Sequence, residues 1–165
     1  MPAVVSDTSP LIYLTRIGRL DWLRVIYGDV VIPGEVWREL SEGGRGFPEF
    51  AAVQTALADG WMQVHLINNE PALLLGSDLD AGEVEAIQLA CKLSATLVID
   101  ESAGRAVAQK LGLKITGTAG VLLRARLAGL TDNLAGELNR LQRETTFWLA
   151  DEIRDDLLRL AGETP

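Results

Sequence analysis

The chain has 165 residues, 48% apolar and 23% charged, which suits a globular fold and excludes a disordered tail, a collagen-like repeat or a coiled-coil rod. A single Cys and a single His exclude an internal disulfide framework, a Cys-rich zinc site and a multi-histidine metal centre. Fifteen Lys and Arg against 23 Asp and Glu give a net charge of −8, so holding nucleic acid would need a local basic face or metal ions.

Ala3-Val4-Val5-Ser6 reads as a short buried strand ending at Asp7. Ser9 is placed to cap a helix with Pro10 at its first position, Leu11, Ile12, Leu14 and Ile17 lining it, and Gly18 stopping it. A second short helix spans Asp21 to Tyr27, and Val30-Val31-Ile32 is a second strand. Pro33-Gly34 opens a helix through Leu40, which Ser41-Glu42-Gly43-Gly44 should end. Pro48 to Asp59 reads as a helix and Trp61 to Ile67 as a third strand. Asn68 to Asp78 is the most loop-like stretch, with Pro71-Ala72-Leu73-Leu74-Leu75 ambiguous. From Asp80 a long helix runs through Leu93, its apolar stripe carrying Val84, Ile87 and Cys91. Thr96-Leu97-Val98-Ile99 is a fourth strand ending at Asp100, followed by a helix over Ser102 to Leu111 and a fifth strand, Leu113-Lys114-Ile115. Helices then cover Thr118 to Leu127, Leu134 to Arg143 and Phe147 to Leu160. Strands alternating with helices predict a parallel sheet covered on both faces. No signal peptide or membrane span is read, so a cytoplasmic setting is expected.

In open α/β sheets, sites lie beyond the carboxyl ends of the strands. Two strands here run straight into an acid, Asp7 and Asp100. If the strands are neighbours, the two carboxylates can share a cation; otherwise they repel and one pKa rises. Hard oxygen donors with scarce His and Cys point to Mg²⁺ or Mn²⁺ rather than Zn²⁺. Each acid also has a plain structural reading: Asp7 as a turn former, Asp100 as the N-cap of the next helix. Glu35 and Glu39 share a helix face, and Asp80 with Glu83 has the spacing of a capping box. His65 reads as a partly exposed strand residue and Cys91 as core. The four Trp residues are scattered and read as packing or oligomer contacts rather than a base-stacking platform. Arg16, Arg19, Arg24 and Arg38 cluster early in the chain and read as surface residues.

Several blocks, in order, match one family. Val4-Val5-Ser6-Asp7-Thr8-Ser9-Pro10-Leu11-Ile12 resembles the opening of PIN-like proteins. Val31-Ile32-Pro33-Gly34-Glu35-Val36-Trp37-Arg38-Glu39-Leu40 resembles their second block. Leu79-Asp80-Ala81-Gly82-Glu83-Val84-Glu85-Ala86-Ile87 and Leu97-Val98-Ile99-Asp100-Glu101 resemble the third and fourth. Gly117-Thr118-Ala119-Gly120-Val121-Leu122-Leu123 is similar to the DUF3368 subgroup. The resemblance implies a three-layer α/β/α sandwich around a parallel sheet of about five strands, in one domain over residues 1–165 with C-terminal helices from about residue 131. It implies an acidic metal site that cleaves single-stranded RNA. Carried over by motif, Asp7, Glu39 and Glu83 are the first three acids, and Asp100 or Glu101 the fourth. PIN nucleases commonly carry Asp where Glu83 stands and Thr-x-Asp where Ile99-Asp100-Glu101 stands.

The leading expectation is therefore a Mg²⁺- or Mn²⁺-dependent endoribonuclease with Asp7, Glu39, Glu83 and Asp100 as catalytic acids and Glu101 as a further metal ligand. Many relatives are toxins of toxin–antitoxin pairs, so a small antitoxin protein is an expected partner, alongside RNA. The resemblance and the mean hydropathy of +0.17 also lead us to expect a homodimer. The alternative is a catalytically inactive PIN-like binding or regulatory module. A phosphatase of the haloacid-dehalogenase type is disfavoured, because Asp7-Thr8-Ser9 lacks a second acid two residues on.

Overall fold

The computed structural model describes residues 3–67 and 78–165. Strand Val4–Ser6 (β1) leads into helices Thr8–Arg16 (α1) and Trp22–Tyr27 (α2). Strand Val30–Pro33 (β2), helices Gly34–Gly44 (α3) and Pro48–Ala58 (α4), and strand Met62–His65 (β3) follow. The second half contains helix Ala81–Leu93 (α5), strand Thr96–Val98 (β4), helix Ser102–Lys110 (α6) and strand Ile115–Thr116 (β5). Helices Thr118–Leu127 (α7), Leu134–Glu144 (α8) and Asp151–Leu160 (α9) complete it. Apart from Asp78, the expected loop from Asn68 lies outside the described residues.

The strands form one parallel sheet in the order β3-β2-β1-β4-β5. β1 is central, with Val4 opposite Val30 on one side and Thr96 on the other. Alternate strand residues point to opposite faces, and each face has its own core. Val4, Val30, Ile32, Met62 and Val98 pack with residues of α1, α2, α4, α7 and α8. Val5, Val31, Leu97 and Ile99 pack with Ala86, Ile87, Leu89 and Ala90 of α5 and Ala108 of α6. The result is the expected three layers, α/β/α. α3 packs against both α4 and α5, bridging the layers beside the carboxyl ends of the strands.

Besides shifts of one or two residues, such as a third strand confined to Met62–His65, four element boundaries differ from the sequence reading for identifiable reasons. α1 begins at Thr8 with Asp7 at its N-cap position, so Ser9 is helical rather than capping. α3 does not stop at Leu40 but runs to Gly44: Arg38 pairs with Glu35 and Glu42 along one face, and the Ser41 hydroxyl donates to the Trp37 carbonyl. β5 starts later than read, because the Leu113 N–H turns back to the Ala108 carbonyl and closes α6. Phe147 to Ala150 is not helical, and the last helix begins only at Asp151. Near that end, the Glu163 carboxylate accepts the Leu134 and Ala135 N–H groups at the start of α8 and pairs with Arg126 of α7. The chain terminus is thereby pinned to two helices.

Candidate active site

Three consecutive buried residues, Val4, Val5 and Ser6, carry Asp7 to the carboxyl edge of the sheet. The Asp7 N–H donates to the Val98 carbonyl of the neighbouring strand at 3.0 Å. Asp7 is 4% exposed and makes no side-chain cap hydrogen bond deeper into α1, so its carboxylate is held at the turn by the Thr8 backbone alone. β2 ends in the same direction and opens α3 directly. Val36 and Leu40 face the core, which sets Glu39 toward α1. There the Thr8 hydroxyl donates to Glu39 Oε2 at 2.7 Å.

The start of α5 closes the opposite side. Asp80 and Glu83 form the capping box: Glu83 N–H donates to Asp80 Oδ1 at 2.8 Å and Asp80 N–H to Glu83 Oε2 at 3.0 Å. Gly82 lies between them. A Cβ there would stand 2.5 Å from Glu39 Oε1 and 3.4 Å from Asp80 Oδ1. The missing side chain is what lets the Glu39 carboxylate rest against the first turn of α5.

Asp100 follows β4, the strand next to β1. It is not the N-cap of the following helix; Glu101 holds that position. Instead its Oδ1 accepts the Thr118 N–H at 2.8 Å and its Oδ2 the Thr118 hydroxyl at 2.6 Å, at the start of α7. Glu101 is exposed, but its charge bears on both Glu83 and Asp100.

Electrostatics group these acids. Burial, followed by the charges of Asp80, Glu83 and Glu39, raises the Asp7 pKa to about 7, against the pull of the Thr8 backbone. Glu39 is pushed up by burial, with Asp80 and Glu35 adding to it, against its Thr8 hydrogen bond and Arg38. Glu83 is pushed up by burial, then Asp80, Glu101 and Glu39, against its bond from the Asp80 backbone. Asp100 is raised by burial against the two Thr118 bonds and Arg105. The charges thus group Asp7, Glu39 and Glu83 with Asp80, whereas Asp100 is linked to them only through Glu101 and stands in the company of Thr118 and Arg105. Sequence reasoning missed Asp80, which it treated as a capping residue alone. The i, i+3 spacing that made it a cap also puts it next to Glu83, and that was the available signal.

The other singled-out residues take ordinary places. Arg16 pairs with Glu49, Arg19 with Glu137, and Arg38 with Glu35 and Glu42. His65 is half-buried on the edge strand β3, and Cys91 is partly buried against the α5 face of the core. Trp22 is buried, Trp37 stacks on Phe50 and Trp61 packs against the larger core, whereas Trp148 is 79% exposed.

Among the described residues, no three His, Cys, Asp or Glu side chains already stand in a ligand cluster. Glu39 is turned onto Thr8 and Glu83 onto its own cap. The donor set nevertheless fits a hard divalent cation: the charges acting on buried Asp7 are all negative, and a cation would relieve their repulsion.

A central five-stranded parallel sheet, helices on both faces and acids gathered at its carboxyl edge define a PIN-like fold. The chain belongs to the DUF3368 family of PIN domains, whose model matches residues 3–163. Such domains are generally nucleases that bind divalent metals. Among solved structures, the fold is similar to a PilT N-terminus domain protein from the hyperthermophilic archaeon Sulfolobus solfataricus P2. That match has a TM-score of 0.56 and 20% identity, and covers 72% of this chain and 89% of the other. Comparison with curated proteins finds no match. Among the described residues, no helix is long and apolar enough to cross a membrane.

Proposed function

We propose that the chain is a Mg²⁺- or Mn²⁺-dependent endoribonuclease acting on single-stranded RNA. The observation that carries this reading is buried Asp7 at the centre of the sheet's carboxyl edge, under the charges of Asp80, Glu83 and Glu39. Asp7, Glu39 and Glu83 would hold the cation, with Asp100 and Glu101 at the flank. A bound divalent ion supplies Lewis-acid polarisation of a phosphodiester and a water of lowered pKa. Thr8 fixes the Glu39 carboxylate from the α1 side. Thr118 orients Asp100 through two bonds, so that the acid keeps one geometry. The metal also resolves the charge problem, letting a chain of net charge −8 approach a polyanion.

The same reading includes the toxin role, with a small antitoxin protein as partner, and a homodimer as the working unit. Co-purification with the product of an adjacent small open reading frame tests the first. Light scattering across a dilution series tests the second.

The deciding experiment is cleavage of single-stranded oligoribonucleotides by purified protein with Mg²⁺ or Mn²⁺. Wild type should cleave, and Asp7→Asn should lower the rate on the order of 100-fold or more with the fold intact. Equal cleavage by the two proteins overturns the mechanism. Absence of Mn²⁺ binding by calorimetry at millimolar concentration would favour a non-catalytic module.

A further inference from the structure

Beyond the acids, one surface of the molecule combines an exposed aromatic ring with a cation. In the non-helical segment before α9, exposure alternates along Phe147, Trp148 and Leu149. Phe147 packs edge-on against Tyr13, with ring centroids 5.4 Å apart, and both Phe147 and Leu149 lie against the larger core. The Phe147 N–H donates to the Thr145 hydroxyl at 3.1 Å, and the Arg154 N–H to the Ala150 carbonyl at 2.9 Å, fixing the segment at both ends. Trp148 is thereby held outward, 79% exposed. A ring presented by a fixed backbone loses little conformational freedom when something stacks on it.

Trp148 borders a groove of about 460 Å³ that also takes in Asp100, Arg105 and Gly117. That volume lies within the roughly 300–1,000 Å³ typical of small-ligand sites. Arg105 Nη1 donates to the Ile99 carbonyl at 2.8 Å, which anchors its guanidinium where β4 ends. A Cβ on Gly117 would stand 2.6 Å from Asp100 Oδ1 and 3.1 Å from Arg105 Nη1. Only glycine leaves both polar groups room at the groove floor.

We propose that Trp148 and Arg105 form a nucleotide subsite, seating a base and phosphate of single-stranded RNA beside the acidic cluster; this rests on the ribonuclease reading above. The groove's chemistry favours that occupant. A base offers Trp148 a π face without demanding a particular sequence. A phosphate offers Arg105 an acceptor matched to its planar donor fork. An apolar peptide would satisfy the Trp, Phe and Leu side but would desolvate the Arg105 charge and leave its remaining donors without an acceptor. The groove is also continuous with the candidate site, since Asp100 belongs to both.

The test compares wild type, Trp148→Ala and Trp148→Phe. Binding is read by anisotropy of a fluorescein-labelled mixed-sequence oligoribonucleotide, cleavage by steady-state kinetics in Mn²⁺, and mass by light scattering. Trp148→Ala should raise Kd and KM roughly 5- to 150-fold, the effect of losing one stacked base, and leave kcat within about twofold. Trp148→Phe should recover most of the loss. Because the side chain is exposed, all three proteins should melt alike. Unchanged Kd in Trp148→Ala, or no RNA binding by wild type, overturns the subsite. So does a fall in mass from two chains to one, which would make Trp148 a contact with a second copy. RNA binding that depends on Trp148 without any cleavage in Mn²⁺ would retain the subsite and refute the nuclease.

Discussion

Thr118 grips Asp100 with both of its donors, its N–H on one carboxylate oxygen and its hydroxyl on the other, across eighteen residues of sequence. Thr118 is fully buried, so its hydroxyl has no water to fall back on, and Asp100 is partly buried beside it. Thr118→Val keeps the shape and removes one donor. The expected outcome is a loss of about 1–3 kcal/mol in denaturant unfolding. Metal affinity should weaken too, because Asp100 loses its orientation. Unfolding curves that superimpose on wild type would show that the hydroxyl bond is idle.

Asp7 sets a pH dependence of definite sign. Its carboxyl titrates near 7 in the folded chain, against 3.8 ordinarily, so the folded state binds the proton more tightly. Its contribution is fully present below about pH 4 and is lost as pH rises to about 7, on the order of 2–4 kcal/mol in all. In chelator, the melting temperature of wild type should fall relative to Asp7→Asn across that interval. Parallel pH profiles for the two proteins would contradict the burial of the charge.

Adding Mn²⁺ at neutral pH should act in the opposite direction. A cation that binds the folded chain at about 100 times its Kd stabilises by about 2.7 kcal/mol. Wild type should gain this and Asp7→Asn should not. Thermal melts with and without the metal read the difference directly.

Gly82→Ala separates site geometry from stability. The added methyl would stand 2.5 Å from Glu39 Oε1, the far end of a side chain that can swing aside. Helix propensity offsets the crowding by up to about 1 kcal/mol. Stability should change little while metal affinity and cleavage fall, as Glu39 leaves its place against Thr8. Calorimetry with Mn²⁺, read beside a thermal melt, checks this.

Glu163→Gln tests the pinned terminus. Burial opposes its charge, but the Ala135 and Leu134 N–H groups and Arg126 hold its carboxyl below the ordinary range. Its contribution is present above about pH 4.5 and is lost as pH falls through the lowered value. The pair with Arg126 is partly exposed, so the expected cost is modest, about 1 kcal/mol at neutral pH. The substitution should matter less in acid.

The sheet and its central strands were legible because a short buried strand offers few alternatives. Val4-Val5-Ser6 and Thr96-Leu97-Val98 are too short and too β-branched to be helices, and each runs into an acid at a chain turn. Motif order singled out Asp7, Glu39 and Glu83, whose charges act on one another in the structure. What was not legible depends on partners distant in sequence. Nothing local distinguishes Asp100 as a helix cap from Asp100 as the acceptor of Thr118. Phe147-Trp148-Leu149 read as helix because three apolar residues fit either period. The decision lies with Tyr13 and the core, which take Phe147 and Leu149 and leave the ring between them outside. Asp151 and Glu152, acids suited to a first helical turn, were the local hint that the helix starts later.

The placement of β1 at the middle of the sheet has a consequence for synthesis. Val4 leaves the ribosome ninety-two residues before its pairing partner Thr96. Asp7 cannot be enclosed until that strand emerges, and Asp100 has no clasp until Thr118 follows. Closing so long a span is slow and entropically opposed. The nascent chain is thus kept from assembling its acidic centre until Thr118 has been made.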